Sequence, residues 1–293
     1  MSKVMITKSK LDALVNAYNE LTGETGTQTL DELATSISEI EAGDPGEDLK
    51  KVLEDTATSI TNKATSISSY SFSSHQNLTT ASFPEATNIG AGAFQYCSGL
   101  TSIYAPKVTT LGMRAFQGCP IQSAYFPLVT SLGGSTFDGC NSLKTVNVES
   151  VRTLDRGDFR NCSEITSINL PVATIIGNSA FYYNRKLSSV SIPSATKIET
   201  TCFQGCTELQ TIELPASLTD IAGAAFSNSG LKTVVFRNNT SIPTLGANVF
   251  FGTPIAAGTG FIYVPDSLVD TWKAATNWAA YAAQIKPLSE LPN

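Results

Sequence analysis

The chain is poor in charge, in histidine and in long apolar runs, and each shortage removes a class of function. Only 15% of its 293 residues are charged, and from residue 56 onward 14 basic side chains stand against 13 acidic ones. No basic stripe is available to bind phosphates, so nucleic acid is not expected as a partner. A Ser-His-Asp or Cys-His mechanism would have to run through His75, the single histidine, and nothing near it resembles a nucleophile elbow. No P-loop, dinucleotide fingerprint, zinc-hydrolase motif or EF-hand loop occurs, so no cofactor is expected. A glycosidase pair would have to be assembled from scattered carboxylates such as Glu149, Asp155 and Asp158. No stretch of eighteen apolar residues exists to insert into a membrane. The first residues, Met1 to Leu14, have neither the apolar core nor the cleavage site of a secretory signal.

Repetition is abundant instead. Phenylalanine recurs at positions 72, 94, 116, 137, 159, 181, 203, 226 and 250, in steps of 21 to 24 residues. A period of that size marks a stacked solenoid, in which each coil buries its apolar side chains against the coils above and below. Each phenylalanine carries its neighbours with it. From Ile89 the chain reads IGAGAFQYCSGLTSIYAPKVTTL, and from Ile176 it reads IGNSAFYYNRKLSSVSIPSATKI. Alternation over Leu-x-x-Ile-x-Leu predicts a short strand with one buried face, and the following Pro ends it. The Gly ahead of Ala-Phe suits a tight bend. In the coil from Ile89 the expected core is Ile89, Phe94, Leu100, Ile103, Ala105 and Val108.

Five cysteines (Cys97, Cys119, Cys140, Cys162 and Cys206) lie three residues after a ladder phenylalanine, a slot that His75 fills in the first coil. With no Cys-x-x-Cys pair, a metal site is not expected, and stacking predicts a column of small buried thiols. Strand alternation sends the flanks of each central aliphatic outward. These are Thr80 and Ser82, Ser102 and Tyr104, Ser123 and Tyr125, Thr145 and Asn147, Ser167 and Asn169, Ser189 and Ser191, Thr211 and Glu213, and Thr233 and Val235. Tyr104 and Tyr125 are expected to stack, followed by Asn147 and Asn169. With Ser102 and Ser123 they form the candidate binding stripe, suited to stacking on sugars and hydrogen-bonding them. The alternative is that tyrosine is there as a strand former, with Ser and Thr keeping the sheet soluble.

The repeated pattern resembles the BspA-like family of leucine-rich repeats, whose motif is IGxxAFxxCxxLxxIxLPxxVTx, and the resemblance covers about two thirds of the chain. It implies a leucine-rich-repeat solenoid with a parallel sheet on one side and short turns or helical segments on the other. It also implies a surface adhesin or host-contact role rather than an enzyme.

The ends differ from the middle. Residues 1–42 read as a helical attachment or oligomerisation module, with helices over 6–22 and from about Thr29, the latter opened by a capping box at Glu32. Residues 43–65 read as a linker leading into the stack, 66–262 as the solenoid, and 263–293 as a helical cap. In that cap Asp266 would start one helix and a second would run from Trp278 to Ile285, with Trp272, Trp278 and Tyr281 laid over the open end. A sugar-binding role for the two tryptophans is the alternative. The leader from Ile6 to Leu14, with Thr29 to Ala34, resembles tail-region and other virion proteins of phages and prophages of gut Firmicutes. That resemblance implies a virion protein, made in the host cytoplasm, that contacts a host surface protein or glycan through the sheet. Its N-terminal helices would hold other virion proteins or form a homo-oligomer. The alternative is a bacterial cell-surface adhesin.

Overall fold

A computed structural model describes residues 59–237 and 241–292. The N-terminal helices, the attachment module and the leader pattern expected above lie outside the described residues. Within them the chain is a solenoid whose coils all run the same way. Each coil begins with a front strand, such as Ser102–Tyr104, and turns at Pro106. It then adds a two-residue strand, Thr110–Leu111, and returns through turns that carry the phenylalanine. All six core residues expected in this part of the chain are buried.

The phenylalanines form one column. Successive rings are stacked at 5.2 Å from Phe72 to Phe94, 5.5 Å from Phe94 to Phe116 and 5.5 Å from Phe116 to Phe137. Spacings of 5.3, 5.5, 5.3 and 5.3 Å follow to Phe226, and a 6.0 Å step reaches Phe250. Burying a phenylalanine contributes roughly 1.5–3 kcal/mol, and the column repeats that term in every coil.

The front strands pair in parallel, in register by one repeat: Ser102 beside Thr80, Tyr125 beside Asn147, Asn169 beside Ser191. They fall into separate ladders, broken after Ser102–Tyr104, after Thr145–Asn147 and after Ser189–Ser191. The first break follows the shortest coil, in which Pro120 and Ile121 follow Cys119 directly. The side opposite carries a second parallel sheet of two-residue strands. It runs from Ser66–Ile67 to Thr244–Leu245, with Thr153 bridging the middle. Among the described repeat residues the remaining side is built of turns and contains no helix.

These turns repeat a backbone device that the sequence hides. In every coil the residues two before and two after the phenylalanine have positive φ: Gly92 and Tyr96, Arg114 and Gly118, Ser179 and Tyr183. A non-glycine residue there costs roughly 1–2 kcal/mol. The geometry turns alternate amides toward the next coil, where Tyr96 N–H donates to Gln117, Phe94 N–H to Ala115 and Gly92 N–H to Met113. Three backbone bonds per coil offset the strain.

The Gly ahead of Ala-Phe has another purpose than the bend expected for it. None of Gly90, Gly112, Gly133 and Gly177 has positive φ. A Cβ on Gly112 would lie 2.4 Å from the Ala91 nitrogen, and one on Gly133 would lie 2.3 Å from the Met113 nitrogen. Glycine is required because the backbone of the preceding coil occupies the space.

The C-terminal cap departs from expectation in three respects. One short helix, Val269–Ala274, follows a 3-10 turn at Asp266–Leu268, but the Asp266 carboxylate does not cap it. It accepts from the Ser289 N–H at 3.1 Å instead. The second expected helix is only a turn, Trp278–Tyr281, and Ile285–Pro287 is a strand paired with Phe261–Val264. Asn277 starts that turn with φ 66°, and the open edge of Phe261–Val264 offers more backbone bonds than another helical turn would. Trp272 and Trp278 do seal the stack, at 4.6 Å from Phe236 and 6.3 Å from Phe250. The Trp278 indole donates to the Pro243 carbonyl. Both are buried, which removes the sugar-binding alternative.

One buried carboxylate gives a pH signature. Asp158 occupies the position that is Ala93, Ala115 and Ala180 in other coils, and it is sealed from solvent. Its oxygens accept from the Asp155 and Thr136 amides. Burial raises its pKa from 3.8 to about 6. A raised carboxylate pKa favours the protonated fold, so stability is greatest below the unfolded value and is lost as pH rises through about 6. The difference is worth about 3 kcal/mol. Wild type should gain stability in urea between pH 7.5 and pH 5, and Asp158→Ala should lose most of that gain. Equal pH dependence in the two proteins would contradict the assignment.

Candidate binding face

Ser102–Tyr104 and Ser123–Tyr125 each show the alternation expected of a half-buried strand, with Ile103 and Ala124 inward and their flanks outward. Tyr104 is 56% exposed and Tyr125 is 58% exposed. The two are neighbours on adjacent coils, yet the ladder does not run through them. They stand on opposite sides of the first ladder break, and among the described residues no ring contact joins them. Asn169 is exposed and donates to the Glu149 carboxylate at 3.3 Å.

Asn147 is a second departure. It is half-buried beside Tyr125, its carboxamide oxygen is shielded, and that oxygen finds no hydrogen-bond partner among the described residues. Val235 is a third, because it is buried rather than outward. Tyr263 lies next to it in register and is itself buried, so the face closes toward the cap. The open stripe is therefore Ser102, Tyr104, Ser123, Tyr125 and Asn169, with Asn147 only partly available.

The break after Ser189–Ser191 opens a cavity of about 400 Å³ that nothing in the sequence announces. Val190, Ile192, Leu214, Pro193 and Pro215 line it together with Ser191 and Glu213. Glu213 is paired with Arg237 at 3.0 Å.

Candidates for chemistry are consumed by the fold. The Cys97, Cys119 and Cys206 thiols donate to the carbonyls of Phe72, Phe94 and Phe181 in neighbouring coils at 2.8, 2.8 and 3.2 Å. Asn184 fills the same slot and accepts from the Cys162 N–H. Burial pushes the Cys140, Cys162, Cys202 and Cys206 thiols up, away from thiolate character. His75 packs edge-on against Phe72 at 5.9 Å. Among the described residues no group of His, Cys, Asp or Glu could hold a metal, and no helix is long and apolar enough to cross a membrane. Of the scattered carboxylates, Asp158 is closed off from any substrate.

A BspA type leucine rich repeat region, in six copies, matches residues 65–184 and 174–256. The chain belongs to the BspA-type leucine-rich repeat family. No protein of curated function matches it by sequence. Among solved structures, this BspA-type chain is similar to a leucine-rich repeat protein from Bacteroides ovatus (19% identity, 78% of this chain and 83% of that one, TM-score 0.36). It is similar to a leucine rich cell surface protein from Faecalibacterium prausnitzii (19% identity, 76% and 62%, TM-score 0.40). A leucine-rich repeat protein from Eubacterium ventriosum is 26% identical over 64% of this chain and 48% of its own, with TM-score 0.46.

Proposed function

We infer that the protein is a non-catalytic binding module of a bacterial cell surface, presenting its front sheet to a host surface protein or glycan. The observation that carries this reading is the outward row of Tyr104 and Tyr125, both more than half exposed, among Ser102, Ser123 and Asn169. Tyrosine offers a large rigid contact area with a polar tip, and the hydroxyls around it give and take hydrogen bonds. Binding scaffolds of stacked repeats use such extended surfaces rather than pockets. The BspA-type repeat is consistent with this role, and the burial of the thiols and of Asp158 leaves a nucleophilic or acid–base mechanism little to work with.

Virion attachment remains a proposal tied to the leader from Ile6 to Ala34, and the repeat match adds nothing to it. Membership of the BspA-type family fits the cell-surface reading better. Assembly through the N-terminal residues is a proposal of the same standing.

The test is Tyr104→Ala combined with Tyr125→Ala, applied to arrays of glycans and of host surface proteins. Binding seen with wild type should be lost in the double variant. The melting temperature should move little, because exposed substitutions of this kind are usually within about 0.5 kcal/mol. Unaltered binding would remove the front sheet from the interface.

A further inference from the structure

The front face ends in a cleft that mixes apolar walls with unused hydrogen-bonding groups. Ser191 and Glu213 continue the outward row of Tyr104 and Tyr125: Tyr125 pairs in register with Asn147, Asn169 with Ser191 and Glu213 with Val235. The ladder is broken between Ser189–Ser191 and Thr211–Leu214, and the cavity of about 400 Å³ lies at that break. Its volume falls within the roughly 300–1,000 Å³ of small-molecule sites. Past Glu213 the row is closed, because Val235 and Tyr263 are buried.

Polar groups with spare capacity border the cavity. At the intact step before it, the Leu170 N–H donates to the Ser191 carbonyl at 2.9 Å. The equivalent donor at the break is the Ile192 N–H. It makes no backbone bond to Glu213 among the described residues, although Ile192 is buried and lines the cavity. A buried amide without an acceptor costs free energy until a carbonyl or water reaches it. The Glu213 carboxylate accepts from Arg237 through Oε2 at 3.0 Å, which leaves Oε1 to accept from a ligand. The Ser191 hydroxyl, on an exposed residue, can donate or accept. Val190, Leu214, Ala216 and the rings of Pro193 and Pro215 supply the apolar wall.

This lining selects against charged ligands. A cation drawn to Glu213 would meet the Arg237 guanidinium already held there, and an anion would meet the carboxylate. Space selects against an inserted peptide strand. Such a strand needs about 4.8 Å on either side, whereas the two coils are 5.3 Å apart at Phe181 and Phe203. What fits is a neutral pendant group with a carbonyl for the Ile192 N–H, an N–H for Glu213 and a methyl for the apolar wall. A secondary acetamide has all three. An acetamide alone leaves most of the cavity empty, so the ring that carries it enters too. We propose that the cleft binds an N-acetylated amino sugar, the end residue of a glycan lying on the front sheet; this rests on the front sheet being the binding face.

The test uses the full chain, with saturation-transfer NMR and calorimetric titration. Its probes are diacetylchitobiose, cellobiose, the free-amine glucosamine disaccharide and the blocked peptide N-acetylalanine methylamide. Wild type should bind diacetylchitobiose, with the strongest saturation at the acetyl methyls. Cellobiose lacks the acetamide, the free-amine disaccharide is cationic, and the blocked peptide has amide and methyl without a sugar ring. Each should bind at least about tenfold more weakly. Ala216→Phe, at an exposed position of the lining, should abolish binding, and Glu213→Ala should weaken it about tenfold or more. Neither should move the melting temperature much, because both sites are exposed. Tyr104→Ala with Tyr125→Ala, on other coils, should leave disaccharide binding unchanged, so failure of the cleft and of the tyrosine row can be told apart. No binding of diacetylchitobiose, equal binding of cellobiose, preference for the blocked peptide, or unchanged binding in Ala216→Phe would each overturn the proposal.

Discussion

Phe137→Ala is expected to cost about 3–5 kcal/mol, the largest effect of any single side chain in the repeat. The ring is stacked on Phe116 at 5.5 Å and on Phe159 at 5.3 Å, with Phe126 also at 6.2 Å. Truncation therefore removes the contacts of two neighbouring coils as well as its own burial. In a stacked array, stability is a sum of intrinsic coil terms and nearest-neighbour terms, so a central gap weakens the coupling between two halves. Phe72, half-buried at one end of the column, provides the comparison. Phe72→Ala should cost less than half as much. Urea denaturation of both variants measures this, and a loss below about 1 kcal/mol at Phe137 would show that the column is not the principal support.

Gly112→Ala is expected to cost about 2–3 kcal/mol, although the substitution would normally stabilise a chain by reducing unfolded-state freedom. The new Cβ would sit 2.4 Å from the Ala91 nitrogen and 2.6 Å from the Gly90 carbonyl carbon, both backbone atoms that cannot rotate away. The requirement is local. Ser68, Asp155, Glu199 and Ala222 hold the equivalent position in other coils, whereas at Gly90, Gly112, Gly133, Gly177 and Gly246 a Cβ would come within 2.6 Å of backbone in the preceding coil. Gly139→Ala separates the two causes, because its Cβ would meet nothing closer than 3.8 Å and only its φ of 75° is unfavourable. That variant should lose about 1–2 kcal/mol, the left-handed penalty alone. If Gly112→Ala loses no more than Gly139→Ala, close coil apposition is not what glycine provides.

The repeat was legible because its period is carried by side chains that must all be buried. Phe94, Leu100 and Ile103 have one physically acceptable place each, so spacing alone located them. The turn side was far less legible. Its positive-φ positions are filled by Tyr70, Arg114, Ser135, Thr201 and Ala224 as well as by glycine, and residue type gives no warning of the backbone they adopt. The signal that could have found them is pairwise. A large side chain such as Tyr96 or Tyr183 stands one repeat before Gly118 or Gly205, which makes room for its ring.

On the candidate face, alternation placed Tyr104 and Tyr125 outward but could not show the ladder break between them, which depends on how a shortened coil seats against its neighbours. Asn147 and Val235 follow the same alternation, yet neighbouring Tyr125 and Tyr263 limit their exposure. At the cap, apolar spacing from Trp278 to Ile285 suited a helix, but an unpaired strand edge drew Ile285–Pro287 into the sheet. Each discrepancy arises where a neighbour in space, distant in sequence, decides the outcome.

Hydrogen exchange on the intact chain tests the aromatic column most directly. Peptides spanning Phe94, Phe116, Phe137 and Phe159 should share slow exchange, since their amides bond from coil to coil above a continuous buried stack. Exchange of those segments at the rate of an open chain, while the flanking coils remain protected, would contradict it.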